Sequence, residues 1–502
     1  MKPPDFPAST EQSELRSYVD RTWDSLTRGT GRIFAAIDDP KLPPDAGEIL
    51  YVPSSENLEA VTAKIMANIP AGRRPRLEVR NLPAERDSIR EHGLLYLPGD
   101  YVVPGGRFNE FYGWDSYFIS RGLLISGRLE LARSMAEQAL YEVQHYGSVL
   151  NANRTYYLTR SHPPVLSMMV ADIFRATGDR GWLSAALPLV EKYYYYWRVP
   201  PHLNQATGLS RYRDLGNGPA PEVLASERDE SGRSHYDRVK GFLKEHPIDD
   251  YDVDLYYDRE RDELTDLAYI GDRSMRESGF DPTDRFGKLN LDVVHYAPVC
   301  LNTLLLKMEE ELAVFHHELG NPDAARFWEE RVMESKERIN RYFWNERRGL
   351  YFDYHLGRES QREYPFLTTF WPLWAGVASQ EQAERVVGNL DLFLQPGGLE
   401  ASPAVTGEQW DAPFAWAPLQ LLAVDGLERY GFHEEAREIA RRFVAMVATS
   451  FKKEGVLREK YDARSCTSNI EGKIGFGYVT NEPGFGWTNA VVAEFLGRFG
   501  DG

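Results

Sequence analysis

The sequence predicts an all-α fold, its helices closed into a barrel whose long loops shape a pocket. Three observations predict it. Apolar residues recur at spacings of three and four through eight long blocks. No buried apolar strands alternate with those blocks, and no glycine-rich fingerprint follows a strand, as a nucleotide-binding α/β fold would require. A solenoid would show self-similarity at a fixed period, which is absent, so a closed ring is the preferred arrangement of many paired helices.

In chain order, residues 1–95 carry a short hydrophobic segment over 48–52 and a helical run over 57–68. They are expected to form an N-terminal extension packed on a catalytic barrel spanning 96–502. The barrel helices are predicted over 129–146, 164–177, 182–197, 293–319, 323–344, 380–390, 416–430 and 433–451. Within 301–314, for instance, Leu301, Leu304, Leu305, Met308, Leu312 and Ala313 share one face. The aromatic run 193–197 circles its helix instead of forming a stripe, and is assigned to helix packing. Residues 98–106, 216–221, 397–407 and 472–486 are polar or rich in Gly and Pro and read as long connections. Loops of that length in compact domains usually serve function.

The composition narrows the function. Lys and Arg number 58 against 76 Asp and Glu in 502 residues, a formal charge of −18. No cationic excess exists to neutralise phosphates, which argues against nucleic-acid binding. Cys300 and Cys466 form no paired motif, so neither a disulfide framework nor a thiolate zinc site is expected. The first residues from Met1 lack the apolar core of a secretory signal. No apolar stretch approaches membrane-spanning length. A cytoplasmic protein with no membrane association is expected.

Two segments are dense in chemistry-bearing residues. PGGRFNEFYGWDSYF, over 104–118, interleaves six aromatics with Glu110 and Asp115 behind Arg107. Such a loop offers flat apolar faces for sugar rings and carboxylates for hydroxyls; the alternative is a buried helix start with satisfied charges. QWDAPFAWAPLQ, over 409–420, sets two tryptophans, an amide and a carboxylate beside two prolines. Its alternative is a helix entry in which Pro413 fixes the first turn and Trp416 fills the core. Two further patterns fail as metal sites. Asp250, Asp252 and Asp254 open like a calcium loop, but Leu255 and Arg261 occupy positions that require Gly and Glu. His316, His317 and Glu318 are consecutive on a helix and cannot face one ion. No metal or other cofactor is implied.

The segments over 104–117 and 409–418 resemble the two signature segments of the trehalase family, glycoside hydrolase family 37. NANRTYYLTRSHPP at 151–164, ESGFDPTDRF at 277–286, EKYD at 459–462 and GFGWTN at 484–489 are similar to further family segments, in the same order. The resemblance covers roughly 104–492 and implies an (α/α)6 barrel and an inverting glycosidase. It further implies Asp281 as general acid and Glu459 as general base, with Arg107, Phe108, Tyr112, Trp114, Asp115, Asn151 and Arg160 contacting sugar and Gln409, Trp410 and Asp411 lining the same pocket. Arginine suits such work because its planar fork of donors spans adjacent hydroxyls.

Several positions depart from the family pattern and bear on the substrate. Phe280 replaces a Trp, His162 a Gln, and Ala220 with Glu222 stands where an Arg is expected. Tyr478 occupies the place of a Glu, with Glu482 four residues on. His162, Glu222, Tyr478 and Glu482 therefore join the candidate substrate contacts. The leading expectation is hydrolysis of a small α-glucoside, by default trehalose to two glucoses. The alternatives are another small α-glucosyl solute, such as glucosylglycerate or glucosylglycerol, and a sugar-binding protein without catalysis.

Overall fold

The protein was analysed as a computed structural model, which describes residues 3–29, 37, 39, 41–42, 47–69, 72, 76–226, 228, 231–475 and 480–500. Among the described residues, six helices form an inner ring: Asp115–Ile125, Leu166–Thr177, Val299–Leu319, Trp371–Trp374, Ala417–Arg429 and Gly486–Phe499. Each packs on the next, and the last returns to the first to close the barrel. An outer layer of Leu129–His145, Arg180–Trp197, Pro322–Phe343, Gln380–Val387 and His433–Glu454 covers them, with Ser9–Leu26 behind the closing seam. This is the (α/α)6 architecture.

The two layers differ in what their sequences must satisfy. Pro322–Phe343 buries a single stripe, Ala325, Trp328, Ser335, Ile339 and Phe343, and leaves its other face to water. Inner helices are covered over more of their surface: in Asp115–Ile125 every residue from Asp115 to Ser120 is buried. The helical periodicity therefore marks the outer layer well and is silent on Asp115–Ile125 and Gly486–Phe499. The closing seam is tight. A Cβ on Gly122 would lie 2.6 Å from that of Ala490 and 2.9 Å from the Trp23 ring, so only glycine lets these helices meet.

The N-terminal region holds an element that the periodicity did not anticipate. Strands Glu48–Val52, Leu77–Asn81 and Leu94–Leu95 form a parallel sheet with Glu48–Val52 in the middle, crossed by the helix Leu58–Asn68. One strand–helix alternation thus exists, with its own small core around Leu50, Val52, Val61, Ile65 and Leu94. The expected helix over 293–319 begins at Val299, because a 3-10 segment, Lys288–His295, precedes it and turns at Leu289 and Asn290. No helix among the described residues is long and apolar enough to cross a membrane.

Candidate active site

Loops at one mouth of the barrel enclose a cavity of about 430 Å³ whose wall includes both Asp281 and Glu459. Residues 178 positions apart in sequence are brought to one space by ring closure. Their supports differ. Asp281 follows the C-terminus of the helix Asp266–Glu277, where Gly279 turns the chain at φ +73°. A Cβ on Gly279 would sit 3.0 Å from the Trp114 ring. Phe280 is buried edge-on between Trp114 and Trp410. The Asp281 carbonyl accepts from the Gln409 amide, and the Pro282 carbonyl from the Trp410 N–H at 3.1 Å.

Glu459 precedes the strand Lys460–Asp462, which pairs antiparallel with Phe414–Trp416. Its backbone is tied at both ends: its N–H donates to the Glu482 carbonyl at 3.0 Å, and its carbonyl accepts from Trp487 Nε1 at 3.1 Å. Lys460 Nζ lies 3.1 Å from Glu459 Oε2 and donates to Gln409 Oε1 at 3.1 Å. The Gln409 amide therefore joins the two walls, giving to the Asp281 backbone and receiving from the partner of Glu459.

Burial and neighbouring charges act on the carboxyl groups of the cavity. Burial pushes Glu459 up while the Lys460 ammonium and the Arg107 guanidinium oppose the rise. Burial pulls Lys460 down against the attraction of Glu459. Asp115, the first residue of its helix, is pushed up to about 8 by burial, to which the charges of Glu459 and Asp281 add. Three carboxyl groups around one cavity cannot all ionise cheaply, and Asp115, raised by burial and by the other two charges, keeps its proton at neutral pH. His162 is pulled down to about 3 by burial and by Arg160 and stays neutral. Its Nδ1 accepts from the Trp114 N–H at 3.3 Å, which assigns the ring proton to Nε2.

Of the other residues singled out in the sequence, Arg107, Phe108, Tyr112, Trp114, Asn151, Glu222, Gln409 and Trp410 line the cavity with Asp115 and His162. Three lie behind the wall. Arg160 is buried between Asp214 at 2.8 Å and Glu222 at 2.6 Å, and so holds Glu222 at the cavity. Asp411 accepts from Thr283, Thr406 and the Asp284 N–H, tying the 409–411 segment to the loop that carries Asp281. Glu482 accepts from the Arg107 N–H at 2.9 Å and pairs with its side chain at 3.3 Å. Tyr478 lies outside the described residues. Ala220 is fully buried in a small cluster with Val223 and Tyr236.

The cavity wall also contains Lys41, Glu110, Tyr157, Arg276, Trp416, Phe485 and Trp487, which the sequence reading does not single out as contacts. Arg276 had a findable signal: it immediately precedes ESGFD on the last turn of its helix, 3.2 Å from Asp272. Trp416 stacks on Trp410 at 3.9 Å and 7°, so the packing role foreseen for it and a place at the wall coincide. One cluster of metal-ligating groups occurs among the described residues, Asp292, His295 and His355. His355 Nδ1 accepts from the N–H groups of Gly357 and Arg358, which leaves its proton on Nε2, 3.3 Å from Asp292. That nitrogen is a donor to the carboxylate in this arrangement, and not a ligand.

A sequence model of the trehalase family matches residues 6–500. A cytosolic neutral trehalase of Kluyveromyces lactis is 38% identical over 425 residues, 78% of this chain and 55% of the relative. A cytosolic neutral trehalase of Neurospora crassa is 35% identical over an alignment of 547 residues, covering 95% of this chain and 71% of the relative. The chain thus spans between about half and three quarters of these relatives' length. The solved neutral trehalase of Saccharomyces cerevisiae superposes with a TM-score of 0.79 at 31% identity, over 97% of this chain and 94% of the other. A mannosylglycerate hydrolase of Thermus thermophilus shares the fold at a TM-score of 0.50 and 19% identity, over 79% of this chain and 96% of the other.

Proposed function

Because the chain belongs to the trehalase family, we propose that it hydrolyses α,α-trehalose to two glucose molecules with inversion at the attacked carbon. The observation that carries this reading is the convergence of Asp281 and Glu459 on one cavity, with the Lys460 ammonium beside Glu459. Glu459, kept ionised by Lys460, takes a proton from water. The water oxygen forms the new bond to the anomeric carbon as the bond to the bridging oxygen breaks, and Asp281 delivers its proton to that oxygen. Inverting enzymes place the two carboxyls about 6.5–9.5 Å apart to admit the water.

Arg107, Asn151, Glu222 and Arg276 offer donors and acceptors for hydroxyls, and Phe108, Trp114, Trp410 and Trp487 supply apolar faces for the ring carbons. The relatives named above are called cytosolic, and both cysteines here are unbridged, which supports a cytosolic setting. The test is a panel of small α-glucosides, with trehalose, glucosylglycerate and glucosylglycerol compared by glucose release. Trehalose should give the highest kcat/KM, and a better substrate among the others would overturn the assignment. NMR at early times should show one β- and one α-glucose per turnover, whereas two α-anomers would exclude inversion.

A further inference from the structure

Lys41 reaches the cavity from the N-terminal segment, far in sequence from every other wall residue. It is held there by a buried anchor. The Asp39 carboxylate accepts from Tyr156 Oη at 2.8 Å, pairs with the buried Arg154 at 3.5 Å and accepts from the Lys41 N–H at 3.0 Å. Arg154 also donates to the Ile37 carbonyl at 3.2 Å, and Leu42 packs on Tyr156 and Tyr157. From this anchor Lys41 Nζ donates to Tyr112 Oη at 2.7 Å and Tyr157 Oη at 3.2 Å, and lies 5.4 Å from each ring centre. All three residues, with Glu110, line the cavity.

A tyrosine oxygen that accepts from an ammonium turns its own O–H proton elsewhere, and the adjacent positive charge makes that proton a stronger donor. Burial holds both phenols above their usual range, so they keep those protons at neutral pH. We propose that Lys41 is a positioning and specificity-determining residue of the sugar site, whose ammonium orients the Tyr112 and Tyr157 hydroxyls to donate to oxygens of one sugar ring of the bound disaccharide. The proposal rests on the trehalose reading above and adds to it that the N-terminal segment completes the site. The groups that act on the Lys41 ammonium are Tyr112, Tyr157 and Glu110, so its effect is expected on binding.

The test compares the full-length wild-type protein with Lys41→Met and Lys41→Arg on trehalose and its monodeoxy analogues. Lys41→Met should raise KM for trehalose about 10- to 100-fold with kcat within about threefold, the effect of a lost charge-assisted contact. Lys41→Arg should recover part of the loss. At least one deoxy analogue, lacking the oxygen that the tyrosines contact, should be handled equally by wild type and Lys41→Met. An unchanged KM overturns the proposal, as does an equal loss on every analogue accompanied by a lower melting temperature, which would make the segment purely structural. If the wild type does not cleave trehalose, the activity reading fails by itself. Calorimetric titration with trehalose then decides on Lys41: weaker binding by Lys41→Met upholds its role, while equal binding, or none by the wild type, overturns it.

Discussion

The wall that carries Glu459 and the wall that carries Asp281 face the same cavity with different means. Glu459 stands beside a paired strand, its backbone bonded on both sides, with Lys460 against its carboxylate. Asp281 stands on an irregular loop, placed by a glycine in the left-handed region and by backbone bonds to Gln409 and Trp410. The difference teaches how the two walls of one cavity fix their carboxyls by different means, one with an ammonium from the adjacent residue and one through its backbone. An adjacent cation offsets the desolvation that disfavours an ionised carboxyl, and Lys460 supplies one to Glu459.

The comparison breaks most decisively at the carboxyls. Asp281→Asn and Glu459→Gln should each lower kcat by about 10⁴-fold with the fold retained, the upper range for losing a positioned acid or base. Steady-state kinetics and circular dichroism would check this, and full activity in either variant would remove that wall from the mechanism. Asp115 probes the field between the walls. Its ordinary value is 3.8 and burial pushes it up to about 8, so between these pH values the folded protein holds a proton that the unfolded chain has lost. Its contribution to stability is complete below about pH 3.8, declines as pH rises and is flat above about 8. Urea melts at pH 5 and 8 should show Asp115→Asn abolishing a decline of at most about 4 kcal/mol, taken at about 1.4 kcal/mol per pH unit. An identical slope in the variant would show that the group titrates normally.

Lys460→Met tests the counter-ion. Removing a cation favours the neutral carboxyl, so Glu459 should titrate at higher pH. At pH 6 kcat should fall roughly 10- to 100-fold and recover partly on the alkaline side. A pH–kcat profile with an unmoved acidic limb would deny Lys460 that role. Gly279→Ala addresses the other wall: a positive φ and a Cβ pressed on Trp114 should displace Asp281 and lower kcat about tenfold, a backbone strain of about 1–3 kcal/mol. The smallest effect is expected for His162→Gln. A glutamine amide can accept from the Trp114 N–H and donate into the cavity as the neutral ring does, so kcat/KM should stay within about threefold. A large loss would show that the ring shape itself is read.

Legibility in the sequence followed exposure. The blocks over 129–146, 182–197, 323–344 and 433–451 match the observed helices within a few residues, because each has a wet face and a dry face. Asp115–Ile125 and Gly486–Phe499 are buried over most of their length and offer little period to find, although both lie in or beside segments that the family resemblance marks. Ser9–Leu26 buries Leu15, Val19, Trp23 and Leu26 at helical spacing, a stripe obscured by the polar residues around it. Within the site, Asp281, Glu459 and most wall residues sit in the resembling segments. Arg276 stands one residue outside one of them, and Lys41 in none.

By itself, the sequence determined the helical class and, through the family resemblance, the segments that supply the cavity, since these depend on local periodicity and on short runs of residues. Only the tertiary structure decided which side chains face the cavity, which stand behind it, and that Lys41 arrives from the N-terminal segment. Facing is set by packing between segments distant in the chain, and the titration of Asp115 and Glu459 is shifted first by the burial that this packing produces.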